Sequence, residues 1–197
     1  MFNDRYGLTA AVLQCRKTMT RRICKEYATG QPILASDVES FRFYPEENIV
    51  EFLMKDGTTK VSVPPYKDNE IVAVAQAYKD IFHPLDWVNR EIYEKCKGWS
   101  NKMFVRANLM PHQIQITDIN IERLQDITDE DCLKEGIKQT FSGSYCFEYT
   151  GKHSFGYTFS DHPKKAFATL INRPGVGRKG LWEENPFVFA YSFKLIK

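Results

Sequence analysis

The stretch His112-Gln113-Ile114-Gln115-Ile116-Thr117-Asp118-Ile119-Asn120-Ile121-Glu122-Arg123-Leu124 alternates polar and apolar residues almost without error. Successive side chains of a strand point to opposite faces, so its four isoleucines predict a long strand with one face on a core. The period slips once, near Asp118, which predicts a bulge or bend there. Immediately afterwards Thr128-Asp129-Glu130-Asp131 reads as the start of a short helix, with Thr128 as N-cap, an acidic first turn and Gly136 as its stop. Glu135 falls in its last turn.

Outward from this strand, other segments carry their own signals. Asn48 to Met54 and Thr59 to Val63 flank Lys55-Asp56-Gly57 and predict a hairpin, because Asp-Gly supplies the positive-φ chemistry of a tight turn. Glu70 to Tyr78 is apolar almost throughout and reads as a buried central strand that carries Gln76 inward. Phe187 to Leu195 reads as a final aromatic strand. Thr9 is placed to cap a helix running to Gln14, Pro84 opens a helix to Gly98, and Pro163 opens another with Ala166, Phe167, Leu170 and Ile171 on one face. Residues 138–160 are rich in Ser, Gly, Tyr and Phe and predict a long hairpin or a loop; Gly175 to Gly180 reads as a mobile basic loop. There is no regular βαβ alternation, so the expected class is α+β: a mixed, partly antiparallel sheet or small barrel with peripheral helices, in a single domain over 1–197.

Composition excludes several classes. Hydrophobic residues make up 43% of the chain, enough for a core, and 27 basic against 25 acidic residues leave a net charge of only +2. Nucleic-acid binding must therefore rest on where charges sit. The five cysteines include no C-x-x-C pair, and no histidine stands at zinc-ligand spacing, so neither a metal nor a disulfide framework is expected. With no apolar run of roughly 18 residues and no signal-like N-terminus, the chain is expected in the cytoplasm, without membrane contact. The absence of a G-x-x-x-x-G-K-Ser/Thr loop argues against triphosphate hydrolysis, and no cofactor is expected.

The segment Cys15-Arg16-Lys17-Thr18-Met19-Thr20-Arg21-Arg22 is the candidate for chemistry. Arg16, Lys17, Arg21 and Arg22, interleaved with two threonines, can grip an anion; a solvated basic turn would look the same. A lysine acts as base or nucleophile only if desolvation or neighbouring cations lower its pKa, and three arginines stand close enough in sequence to do so. Glu135 is the carboxylate most naturally brought to this site, although an exposed helix-end glutamate would share its sequence context. Gln76, if buried, must find partners or incur about 1–3 kcal/mol of desolvation, and either a nucleobase edge or a backbone carbonyl would serve. Tyr78 is a candidate base-stacking ring. His112 could donate a proton near neutral pH or simply close a strand end.

Taken together, these residues resemble the ASCH family, relatives of the activating-signal-cointegrator domain in the PUA-like group. The likeness is carried by Arg16 to Arg22, Glu70 to Gln76, Glu122 to Ile127 leading into Asp131 to Ile137, and Asn185 to Tyr191. Cys15, Lys17, Thr20 and Arg22 fall in order on the family motif G-x-K-x-x-E-x-R, with Cys15 in place of glycine and Thr20 in place of glutamate. Lys17-Thr18-Met19-Thr20 matches the K-T-x-T of phage-type and small bacterial branches. Gln76 stands where many relatives carry a glutamate.

The resemblance implies a PUA-like barrel with a cleft for RNA or a modified nucleobase. One small bacterial branch hydrolyses N4-acetylcytidine with a lysine, a threonine and a glutamate, which match Lys17, Thr20 and Glu135. Residues at about 84–100 and 138–160 have no counterpart in those short enzymes and read as insertions. Three functions follow in order: a module binding RNA or a modified nucleoside through Arg16, Arg21, Arg22, Gln76 and Tyr78 around the Lys17–Thr20–Glu135 site; an amidohydrolase acting on N4-acylated cytidine; and a phage-derived protein-interaction module.

Overall fold

A computed structural model describes residues 2–82, 95–150 and 155–196. The long alternating segment forms β6 (Gln113–Arg123), paired antiparallel with the last strand, β10 (Phe187–Leu195). Where the period slips, Ser192 pairs with Asp118 but Phe193 pairs with Ile116, so Thr117 is the extra residue of a bulge. Ile116 and Ile119 are three apart and on a regular strand would face opposite sides. The bulge absorbs one residue, so both lie opposite Phe193 and Tyr191 on one face.

Two shorter strands complete this sheet: β1 (Met19–Ile23) beside β10 and β5 (Ile71–Ala73) beside β6, in the order β1-β10-β6-β5. The sheet curls into a half-barrel whose open edges are β1 and β5. Its concave face carries Thr20 and Arg22, opposite Tyr191 and Phe189. The expectation of a central strand over Glu70 to Tyr78 needs correction. Only Ile71–Ala73 pairs, at the sheet's edge, and Gln76 lies beyond it. The apolar run serves interior packing instead: Val74 and Ala77 are buried although outside any strand, because the loop itself lines the core.

The predicted hairpin forms as β3 (Ile49–Met54) and β4 (Thr59–Ser62), turning at Gly57 with φ 82°. Asp56 holds the turn by accepting from the Thr58 N–H at 2.9 Å. A strand the periodicity did not reveal, β2 (Val38–Tyr44), joins it to make a second sheet, β2-β3-β4. Its outward residues are largely exposed, and Phe52 packs on Phe187 of the half-barrel with ring centroids 5.1 Å apart. Three strands within the predicted hairpin region make a third sheet, β7 (Lys138–Gln139), β8 (Tyr145–Thr150) and β9 (Phe155–Ser160).

The α-helices among the described residues are short: α1 (Leu8–Leu13), α2 (Tyr78–Ile81), α3 (Asp129–Lys134), α4 (Pro163–Ile171) and α5 (Leu181–Glu184). Thr9 lies inside α1 rather than at its cap, where its hydroxyl donates to the Phe2 carbonyl. Thr128 caps α3 as expected, accepting from the Asp131 N–H at 3.1 Å. On α4 the stripe Ala166, Phe167, Leu170 and Ile171 is buried, and α5 was not foreseen. The helix expected from Pro84 lies outside the described residues except for its last four, which are turns. One hydrophobic cluster draws on all three sheets and on α1, α3, α4 and α5.

Candidate functional site

Two helix ends deliver the central charges. After α1 the chain reverses at Cys15, whose φ is +56°; its N–H bonds the Val12 carbonyl and that of Arg16 bonds Ala11, the paired closure of a Schellman turn. After α3 the same device recurs: Gly136 has φ +109°, with its N–H on Leu133 and that of Ile137 on Cys132. The first reversal turns Lys17 inward, and the second fixes Glu135 at the mouth of α3. The ends are joined where Thr18 N–H donates to the Lys134 carbonyl at 2.9 Å. A Cβ on Gly136 would stand 3.2 Å from Leu8, so the close approach also favours glycine.

Lys17 is 2% exposed and spends all three ammonium protons on protein acceptors: Glu135 Oε2 at 2.5 Å, the Met19 carbonyl at 2.7 Å and the Glu135 carbonyl at 2.9 Å. The ammonium therefore also satisfies a free carbonyl at the negative end of α3. Arg21 completes the network. Its guanidinium reaches Glu135 Oε1 at 3.1 Å, Glu122 Oε1 at 2.7 Å and Asp131 Oδ2 at 3.5 Å, while Lys134 holds the other Asp131 oxygen at 3.1 Å. Its cross-strand neighbour on β10 is Ala190, and Glu122 stands one strand further on, in β6.

Burial pulls the Lys17 pKa down, Glu135 opposes that pull, Arg22 and Arg21 add to it, and the net shift is downward. For Arg21 burial again pulls down, but Glu135 and Glu122 outweigh it and the guanidinium is held more firmly charged. The Cys132 thiol next to this network is pushed up to about 12 by burial, which keeps it protonated and unreactive.

On the other face of β1 the situation reverses. Thr20 and Arg22 line a pocket with Lys17, Arg21, Glu135 and Phe2 at the β1 edge, and both, without Arg21, also line a second, more apolar pocket on the concave face, with Tyr66, Ala73 and Ile114. The two pockets share Phe2, Thr20 and Arg22, and together they run between the open edges β1 and β5. Among the described residues, neither the Arg22 guanidinium nor the Thr20 hydroxyl has an ion pair or side-chain hydrogen bond. The buried network balances Lys17, Arg21 and Lys134 against Glu135, Glu122 and Asp131, so Arg22 is the uncompensated charge of the cleft.

The structure thus brings Lys17, Thr20, Arg21, Arg22 and Glu135 together. It does not bring the other candidates. Arg16 turns to Gln14 at 3.0 Å; Gln76 Oε1 lies 2.7 Å from His112 Nδ1; Tyr78 is buried, with its hydroxyl accepting from the Arg106 N–H at 2.9 Å. His112 is thereby engaged as well. Three residues of the site had no sequence signal of their own: Glu122 and Asp131, legible only as a strand-end and an N-terminal helix acid, and Phe2, which lines both pockets with its ring centroid 5.7 Å from the Lys17 ammonium. No cluster of His, Cys, Asp and Glu able to hold a metal occurs among the described residues, nor any helix long and apolar enough to cross a membrane.

Comparison with family models, curated proteins and solved structures finds no match in any of the three.

Proposed function

We propose that the chain is a PUA-like protein of the ASCH type that binds RNA or a modified nucleoside in the cleft between β1 and β5. The observation that carries this reading is the Arg22 guanidinium beside the Thr20 hydroxyl, both unpaired among the described residues and set against apolar walls. A half-buried cation with no protein partner among the described residues is free to take one from a ligand, and a base edge or phosphate offers acceptors of the right kind. The apolar walls at Ile114 and Ala73 suit the face of a base. The left-handed backbone at Cys15 falls where the family motif carries glycine, and Lys17 and Arg22, the two motif residues kept, both line the cleft. All five cysteines are free, in keeping with a reducing cytoplasm.

A second reading, hydrolysis of an N-acylated cytidine, is favoured by one further observation: Lys17, Thr20 and Glu135 line the same pocket. In it the Lys17 ammonium first passes a proton to the Glu135 carboxylate 2.5 Å away, and the resulting amine takes a proton from water as the water attacks the acyl carbonyl. Thr20 donates to the oxyanion, and Glu135 passes the proton to the departing amine. The two readings separate in one experiment with purified protein, labelled single-stranded RNA and N4-acetylcytidine. Binding alone predicts salt-dependent RNA retention that Arg22→Ala weakens and no release of acetate. Hydrolysis predicts acetate release that Lys17→Met abolishes. If neither RNA nor nucleoside is bound or consumed, the cleft has another ligand.

A further inference from the structure

β9 stands at the edge of the third sheet, and among the described residues no strand pairs with its outer side. Natural edge strands are usually blunted against association by charge, proline or a bulge. Phe155-Gly156-Tyr157-Thr158-Phe159-Ser160 has none of these: it carries no charge and no proline, and its register with β8 is unbroken from Thr150 opposite Phe155 to Tyr145 opposite Ser160. Its outward side chains are aromatic and exposed, with Phe155 at 62%, Tyr157 at 46% and Phe159 at 63%. Their rings touch in sequence, Phe155 to Tyr157 at 5.3 Å between centroids and Tyr157 to Phe159 at 6.0 Å.

The order of this stripe identifies its occupant. Phe-Tyr-Phe reads the same in both directions about Tyr157, with small residues, Gly156 and Thr158, between the rings. We infer that β9 is the docking edge for the β9 of a second copy of this chain, antiparallel about a two-fold axis at Tyr157. In that pairing Phe155 neighbours the partner's Phe159 and the two Tyr157 rings lie side by side on the axis, so the two aromatic rows pack laterally along one face of the joined sheet. No like charges meet on the axis, because the strand has none. The edge N–H and C=O groups find ladder partners, and two three-stranded sheets become one of six strands. A single-stranded RNA could stack on the same rings, but the strand brings no cation of its own to hold the phosphates, so its chemistry favours the second copy.

The test is the mass of the purified full chain by light scattering across a dilution series, together with hydrogen exchange of the β9 amides. A species of about twice the 22.9-kDa chain is expected, with β9 protection that falls on dilution. Tyr157→Lys, which sets two like charges on the axis, is expected to give monomer with an unchanged circular dichroism spectrum. Tyr157→Cys is expected to cross-link into a covalent dimer on mild oxidation, which keeps the test decisive if the lysine variant does not fold. A wild-type monomer at every concentration, open-ended aggregates in place of a closed dimer, or loss of RNA retention in Tyr157→Lys without any change of mass would each overturn the inference.

Discussion

Arg21 and Arg22 are neighbours in sequence and opposites in circumstance. Arg21 projects to the outer face of β1, where three carboxylates and two helix ends absorb it into a neutral network. Arg22 projects to the concave face, where among the described residues no carboxylate meets it. The contrast separates two uses of charge. A buried cation whose partners are all protein groups fixes geometry, because removing a partner strands a charge in a low dielectric. A cation without a partner in a cleft is available to a ligand. On this basis the network of Lys17, Arg21 and Glu135 positions β1 against α3, and the open pair of Thr20 and Arg22 meets whatever enters.

The largest effect should come from the partner both buried cations share. Glu135→Ala strands Lys17 and Arg21 and should lower unfolding free energy by about 3–5 kcal/mol in a urea titration, whereas Arg22→Ala should stay within about 0.5 kcal/mol of wild type. Equal costs would erase the distinction between the two faces. Next, a double-mutant cycle of Lys17→Met and Glu135→Gln should return a coupling of at least about 1 kcal/mol, since the two groups touch at 2.5 Å within one network; additive costs would mean that the short contact is energetically idle.

Ligand affinity should sort the residues the other way. Arg22→Ala should weaken retention of single-stranded RNA or a nucleoside about tenfold, roughly 1.4 kcal/mol, and if phosphate is the partner should reduce the salt slope by about one. Smaller still is the strain at Cys15. A side chain at φ +56° is disfavoured by about 1–2 kcal/mol, and after glycine's entropy cost Cys15→Gly should raise stability by roughly 0.5–1 kcal/mol. A destabilised glycine variant would show that the thiol makes contacts worth more than the strain.

The smallest effect concerns pH. Burial alone would raise the Asp131 carboxyl, but hydrogen bonds to Lys134 and Thr128 and the charges of Lys134 and Arg21 outweigh it and hold it below its ordinary 3.8. A depressed acid contributes stability that is present above 3.8 and is lost as pH falls through its folded value. Asp131→Asn should therefore lower the neutral plateau a little and so flatten the acid limb of the stability profile, read from melting temperatures. An unchanged acid slope would put the acid sensitivity elsewhere in the network.

Much of the architecture was legible because its causes are local. The alternation of β6 with its slip at Asp118, the Asp56-Gly57 turn, the Thr128 cap, the Gly136 stop and the Pro163 start each depend on residues within a turn or two of one another. Gln76 was misjudged for the opposite reason. An apolar run predicts burial, and only strand pairing decides whether burial comes with a ladder; here Ile71–Ala73 pairs and the rest lines the core as loop. Strand β2 escaped notice because its exposed face does not alternate cleanly against its partner.

For the site, the sequence by itself determined the chemical set: a lysine, two arginines, a threonine and a distant glutamate at a helix end. It could not divide that set. Adjacent strand residues face opposite sides, so Arg21 and Arg22 must differ, but which of them is buried depends on what covers each face. Tertiary structure made that decision, by closing α1 and α3 with left-handed turns that bring Lys17 and Glu135 together across 118 residues of chain. Glu122 and Asp131 then stand within reach of Arg21, and the concave side of the half-barrel is left open to Arg22.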